Sequence, residues 1–492
     1  MSRTDATAAS HHETSRGLLR SGSAATLANL VRTLALLATH LVVRRFVPPD
    51  EWAVWNWLEA VFLVLATVRD AGFPSHAVRL RPIPFGNLLR AEIGLGVAIA
   101  AALLVGAPLV ARAMADPHPA LADALRVLTV AFVIEGCGAV ALAWFEAHLR
   151  IERTLGAEML RTGAYCAIVL AAAARGAGFW SFVIAQSVGQ ILFAAALWWR
   201  ARGGLRLHFV PGATGRMVVE SIPLGSIWLL GGAVTYADPF IVGRLFSREQ
   251  LGLYAAAYFL AFFVFRILQL PFGRSLYPAF LAFRDRPDEQ FRAFRLGTVA
   301  FLALEVPAAL VLALNAELVV SLVFGPTYAG AAPYLRLLAF APLADPLGRF
   351  GGELLIARHR DRARVLSLVL HLTALVVGGI ALSLALGSPF GMAWANFLPL
   401  GAPVIVAVLL AEVGRRPLVG LVGQLVEVYL VPVVPFAVAW WLAGDRPWLR
   451  LVLSCVAALA TLGWTWLRHR RDLVDFFSRR PAVGVVEGPV AT

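Results

Sequence analysis

The chain has 492 residues, 59% hydrophobic and 15% charged, with a mean hydropathy of +0.75 and a formal net charge of +13. Soluble domains average about 45–50% apolar and about 25% charged residues, so the apolar excess here has to be solvated by lipid, which excludes the soluble-enzyme classes. All 43 basic residues are arginine. That removes P-loop nucleotide hydrolysis and Schiff-base or pyridoxal chemistry, which need a lysine; in a lipid-dissolved chain the basic balance serves topology and anionic headgroups, not nucleic acid.

A polar stretch, 1–22, reads as a cytoplasmic N-terminal tail. A helix needs about 20 residues to cross the hydrocarbon, and runs of that kind fall at 23–46, 53–73, 88–111, 121–146, 159–174, 179–199, 218–243, 251–276, 296–316, 334–357, 365–386, 390–412, 419–443 and 448–467. The pattern predicts an all-α polytopic membrane protein with about fourteen transmembrane helices. The first run is too long for a signal-peptide core and lacks a small-residue cleavage pattern, so it is taken as a span. No Asp, Glu or Arg occurs from Val365 to Ala411, and this stretch is divided at Gly387-Ser388-Pro389, a turn signal.

An even number of spans places both termini on one side. The termini and alternate connections, with the span ends beside them, hold 29 arginines and the opposite connections, with theirs, nine, so the positive-inside rule makes the termini cytoplasmic. The outer connections are too short to hold a domain. Cys137, Cys166 and Cys455 sit singly in apolar runs without metal-ligand or disulfide spacing. No catalytic residue, metal site or cofactor is indicated. Dense arginines at Arg358–Arg364 and Arg468–Arg471 suit anionic membrane lipids.

Charges within the spans are expensive and default to functional candidates unless they lie near a helix end. At 1.5 Å per residue, Arg32 lies about 13 Å and Arg266 about 15 Å from the inner ends of their spans. Arg69 is four residues from the end of its span, beside Asp70. The deep carboxylates are Glu135, Asp238, Glu305 and Asp345. For each, the alternatives are pairing with an arginine, carrying a proton or binding a coupling cation. His371 reads as a satisfied polar group, and Pro223, Pro239, Pro271, Pro307 and Pro342 as kinks.

Two internal echoes stand out. Arg45–Trp55 is matched 199 residues later by Arg244–Tyr254 in charge, size and aromatic positions. At a spacing of 210, Leu125-Arg126-Val127-Leu128 returns as Leu335-Arg336-Leu337-Leu338, Glu135 as Asp345, Gly138 as Gly348, Arg150 as Arg360 and Ala185-Gln186 as Ala395-Asn396. These predict two parallel six-helix lobes, 23–199 and 218–412, joined by a cytoplasmic linker, 200–217. Two further helices follow in 413–467, then a cytoplasmic tail, 468–492. Parallel repeats around a cleft are a transporter architecture.

The segment Arg44-Arg45-Phe46-Val47-Pro48-Pro49-Asp50-Glu51-Trp52-Ala53, followed by Asp70-Ala71-Gly72-Phe73-Pro74-Ser75, resembles the first two helices of bacterial Wzx-type polysaccharide flippases. Ala237–Arg244 with Leu251–Ala255 is similar to their passage from helix 7 to helix 8, and Phe324–Tyr328 with Ala331–Pro333 to their outer loop after helix 9. Gly178–Val183 is a further recurrent piece. The resemblance implies the multidrug/oligosaccharidyl-lipid/polysaccharide exporter superfamily and transfer of an undecaprenyl-pyrophosphate-linked oligosaccharide across a bacterial inner membrane, by alternating access, for surface polysaccharide. Related lipid II flippases use arginines on helices 1, 2 and 8 for the pyrophosphate, and Arg32, Arg69 and Arg266 occupy those helices. Asp70, Glu135, Asp238, Glu305 and Asp345 are then coupling groups or ion-pair partners. The implied partners are the lipid-linked substrate, membrane lipids and the polysaccharide polymerase machinery. A drug or cation antiporter of the same superfamily is the alternative within transport. A polytopic glycan polymerase or ligase is the alternative among enzymes, disfavoured by the short outer loops.

Overall fold

The structure, a computed structural model, describes residues 31–70, 73, 83–148 and 150–478. The tail 1–22, the start of the first span, Ala71, Gly72, Pro74 and Ser75 of the resemblance motif, and the end of the C-terminal tail lie outside the described residues.

Among the described residues every regular element is helical. In chain order these are α1 (Val31–Val43), α2 (Pro49–Asp70), α3 (Phe85–Arg112), α4 (Leu121–Ala147), α5 (Leu155–Ala173) and α6 (Trp180–Ala201). Then come α7 (Ala213–Leu245), α8 (Arg248–Ala282), α9 (Pro287–Leu314), α10 (Ala316–Phe324), α11 (Ala332–Leu338) and α12 (Pro346–Ala357). The chain closes with α13 (Asp361–Leu386), α14 (Phe390–Ala395), α15 (Ala402–Val413), α16 (Arg415–Leu430), α17 (Val433–Ala443) and α18 (Pro447–Ser478).

Each of the fourteen apolar runs is occupied by helix, and the protein is a multi-pass membrane protein. Among the described residues ten helical stretches, one of them α16 and α17 together, are long and apolar enough to span, or eleven if α7, bent between Ile222 and Gly225, counts as one span. Some of the fourteen runs are broken helices. The run 334–357 is divided into α11, a 3-10 turn at Ala341–Ala344, and α12. Prolines 342 and 346 cannot donate the backbone hydrogen bonds that would continue the helix. The run 390–412 is divided between α14 and α15. Gly387 ends α13 in the left-handed region at φ 57°, a conformation that glycine adopts without a Cβ clash. The expected tail beyond 467 begins as helix, since α18 runs on to Ser478.

The chain divides into two compact units. The first runs to Gly232 and takes in Ser247–Gly252; the second comprises Ala233–Phe246 and the chain from Leu253. Within the first, α4 packs along α3 and α6, and α6 along α5. Lipid tails are as apolar as leucine, so this packing rests on van der Waals fit and on small residues that admit close approach. Gly138 of α4 faces Ala194 of α6 at such a place. The segment 200–217, expected as a linker, is bound to the start of α3. Gly86 N–H donates to His208 O at 3.0 Å. Asn87 Nδ2 donates to Val210 O and Thr214 Oγ1 at 2.9 and 2.8 Å, and its Oδ1 accepts from Val210 N–H at 2.7 Å.

In the second unit, α9 packs against α18, and Phe436, Ala439 and Ala457 close an apolar cluster on Leu310, Val311 and Leu314. Helix boundaries recur at the spacings of the sequence echoes. α2 starts at Pro49 and α8 at Arg248, 199 residues apart. α4 ends at Ala147 and α12 at Ala357, while α6 starts at Trp180 and α14 at Phe390, each pair 210 apart. The turns that follow α4 and α12 also share a hydrogen bond, Arg150 N–H to Phe145 O and Arg360 N–H to Leu355 O, both at 2.8 Å.

Candidate functional site

Helix α2 begins at Pro49 with Asp50 and Glu51 in its first turn and has Arg69 in its last, the charge order that the helix dipole favours. Arg69 is 1% exposed. Room for its side chain is made by two glycines. A Cβ on Gly136 of α4 would lie 3.2 Å from Arg69 Cδ, and one on Gly96 of α3 would lie 3.4 Å away.

The guanidinium lies over the Phe132 ring, 4.7 Å from its centroid. Its Nε and Nη2 donate to Asp70 Oδ1 at 2.9 and 2.6 Å, and its Nη1 donates to Phe132 O at 2.6 Å and to Glu135 Oε2 at 3.2 Å. Glu92 Oε2, from α3, stands 3.4 Å from Nε. Glu135 Oε1 accepts from Gln190 Nε2 of α6 at 2.8 Å. One cation on α2 therefore ties α3 and α4 to it through Glu92 and Glu135, and Glu135 in turn holds α6 through the Gln190 amide. Arg69, expected to grip phosphate, has its donors directed to these internal acceptors; an added anion there would also face the carboxylates.

Arg32 differs. Its Nη1 meets Glu158 Oε2 of α5 at 3.2 Å, with 28% of its side chain exposed. Arg161, one turn beyond Glu158, stacks on Phe193 with its Cζ 4.4 Å from the centroid, close enough to Arg32, Glu135 and Glu158 to interact electrostatically.

The other expected residues lie in the second unit. Asp238 of α7 is 1% exposed. It accepts hydrogen bonds from Tyr254 Oη and, at 2.8 Å, from Asn396 Nδ2. Asp345 caps α12, accepting from Gly348 N–H at 2.7 Å, with His371 Nδ1 at 4.0 Å. Glu305 of α9 is 3% exposed; among the described residues neither carboxylate oxygen has a hydrogen-bond partner, and Arg349 is the charge acting on it. Arg349 lies 3.9 Å from the Phe265 ring centroid and donates to Gln269 Oε1 at 2.9 Å. Arg266 of α8 is exposed, with no carboxylate at ion-pair distance among the described residues.

The sequence reading set Asp70 beside Arg69, left open whether Glu135 pairs with an arginine, carries a proton or binds a cation, and missed three neighbours. Glu92 lies seven residues into α3, where it reads as a helix-end charge. Arg161 was counted with the inner connection, whereas α5 begins at Leu155. Gln190 carries no formal charge and gave no signal. No group of three or more His, Cys, Asp or Glu is placed to hold a metal ion among the described residues.

The fold is similar to that of a structure described as "Lipid II flippase MurJ, inward closed conformation", with a TM-score of 0.74 at 11% identity over 91% of this chain and 99% of that one. It is also similar to an inward-facing multidrug resistance MATE family transporter of the MOP superfamily, with a TM-score of 0.64 at 14% identity over 79% of this chain and 95% of that one. No curated protein matches the sequence. A family model described as "Polysaccharide biosynthesis protein" matches residues 42–333, more than half the chain, and the protein belongs to that family.

Proposed function

We propose that the protein is a flippase that carries an undecaprenyl-pyrophosphate-linked oligosaccharide from the inner to the outer leaflet of a bacterial inner membrane, for surface polysaccharide. A diphosphate with bulky sugars cannot cross about 30 Å of hydrocarbon unaided. Arginine supplies a planar fork that meets phosphate oxygens in pairs and stays charged when desolvated. The observation that carries the reading is that Arg32 and Arg266 are accessible cations on apolar helices, Arg266 with no carboxylate neighbour at ion-pair distance among the described residues. Arg161 beside Arg32 adds a second guanidinium. Arg69, enclosed by carboxylates, orients helices.

The polyprenyl tail stays in lipid while the two units alternate access, and both termini face the cytoplasm. The transported glycan is then on the leaflet where a polymerase consumes it. The chain supplies passage and no covalent step.

In a host lacking the chain, Arg266→Ala and Arg32→Ala are expected to abolish surface polysaccharide at normal membrane abundance and to accumulate lipid-linked oligosaccharide. Wild-type polymer output from both would overturn the role. The carboxylate excess around Arg69 favours a second reading, antiport of an organic cation. Drug sensitivity of the deletion host together with normal polysaccharide would establish it.

A further inference from the structure

Among the described residues, the charges of the cluster around Arg69 and Arg32 do not balance as drawn. Arg32, Arg69 and Arg161 face Asp70, Glu92, Glu135 and Glu158, three guanidiniums against four carboxylates. From the other packed helices the cluster meets the Cys137 thiol of α4 and the neutral amide of Gln190 of α6. One proton would make this interior neutral.

The geometry selects where the proton sits. Asp70 accepts two hydrogen bonds from Arg69, Glu135 is bonded by Arg69 and Gln190, and Glu158 is paired with Arg32. Glu92 is 0% exposed, and among the described residues no donor stands in good hydrogen-bond geometry to either of its oxygens, Arg69 Nε remaining 3.4 Å from Oε2. Its Oε2 lies against the guanidinium, 3.4 Å from the place a Cβ on Gly136 would occupy. A buried ionised carboxylate without a hydrogen bond is costly, and protonation removes the charge. A metal cation is a poor alternative occupant, because the guanidinium stands between the carboxylates and they do not converge as a ligand set.

We propose that Glu92 is a proton-binding site whose occupancy is linked to substrate. The proton adds to a carboxylate oxygen on uptake and leaves it on release, with water as donor and acceptor. Resting on the proposed function, the linkage has a definite sign. A diphosphate arriving at Arg32 and Arg161 adds negative charge to the same interior, which favours the protonated carboxyl. By reciprocity the protonated form binds the diphosphate more tightly. Proton and lipid-linked anion are therefore taken up together.

Two measurements on the full-length purified protein test this. In the substrate-free protein, infrared spectroscopy at neutral pH is expected to show the C=O stretch of a buried protonated carboxyl, which Glu92→Gln removes and the surface variant Glu289→Gln retains. If Glu92→Gln fails to accumulate in the membrane, Glu92→Asp should shift the same band. A wild type without the band, or a band untouched by both Glu92 variants, overturns the site.

The second uses a polyprenyl-diphosphate sugar, whose diphosphate is esterified at both ends and does not itself titrate near neutrality. At a pH above the point where the infrared band is lost, so that Glu92 is ionised in the free protein, its binding is expected to take up protons from a weakly buffered solution. Its affinity should rise as pH falls in the wild type and become flat with pH in Glu92→Gln. Binding without proton uptake, or uptake that persists in Glu92→Gln, overturns the linkage. A protein that shows the infrared band yet binds no probe counts against the flippase reading while the proton site stands.

Discussion

A single guanidinium can hold several membrane helices together when no water competes for its donors. Arg69 does this, and its loss would leave Asp70, Glu92 and Glu135 facing one another without a cation. Removing one partner of a buried ionic group costs about 3–5 kcal/mol. Arg69→Ala is therefore expected to lower the thermal unfolding temperature in detergent sharply, with little folded protein recovered. Adding Glu92→Gln and Glu135→Gln to it should restore much of the loss, because the remaining amides need no counter-charge. Unaltered melting of the single variant would show that the ion pairs contribute nothing. This role could not be read from the sequence, where Arg69 stood near a helix end beside Asp70 and looked as suited to phosphate as to pairing.

Between elements, the connections are held as firmly as the helices. Asn87, 1% exposed, satisfies its amide on the 200–217 segment and so fixes one end of the first unit. Elsewhere in that unit, Arg248 at the start of α8 donates to Asp116 Oδ2 from its Nε at 3.0 Å and from its backbone N–H at 3.4 Å. Close by, Gly252 packs on the backbone of Pro49 so tightly that a Cβ would overlap the carbonyl. Those hydrogen bonds from Arg248 hold the Asp116 carboxyl below the usual carboxylate range. A depressed value in the folded state stabilises above the ordinary Asp value near 4 and is lost as pH falls through the depressed one. Asp116→Asn should cost about 0.5 kcal/mol at neutral pH, as befits a solvent-screened pair. The melting curves of variant and wild type should converge under acid and in high salt; a difference that persists under acid would refute the assignment. The recurrence of helix boundaries at spacings of 199 and 210 was legible as sequence echoes, because both units repeat the same pattern of apolar runs and breaks. What those echoes could not convey is that equivalent residues do different work. Glu135 joins an ion network in mid-helix, whereas Asp345, its echo, caps a helix.

At the scale of the whole molecule, the family and the similarity to lipid-flippase and MATE transporter folds agree with the composition. The arginine distribution sets an orientation that reporter fusions can check. Alkaline phosphatase fused after Arg175 is expected to be active, and the same enzyme fused after Arg202 or Ser478 inactive; the reverse pattern would invert the topology. By itself the sequence determined the all-helical membrane class, the fourteen apolar runs, the repeat and the residues too charged to lie in lipid without a purpose. These follow from local properties, since hydropathy, length and turn residues act within one helix. Only the tertiary structure decided which charges meet. Pairing depends on rotation and depth of helices far apart in sequence, and on glycines such as Gly96 and Gly136, which the sequence shows simply as small residues. That is why Arg69 proved enclosed, Arg266 exposed without an ion-pair partner among the described residues, and Glu92, one carboxylate among the chain's 30 acidic residues, buried against the Arg69 guanidinium.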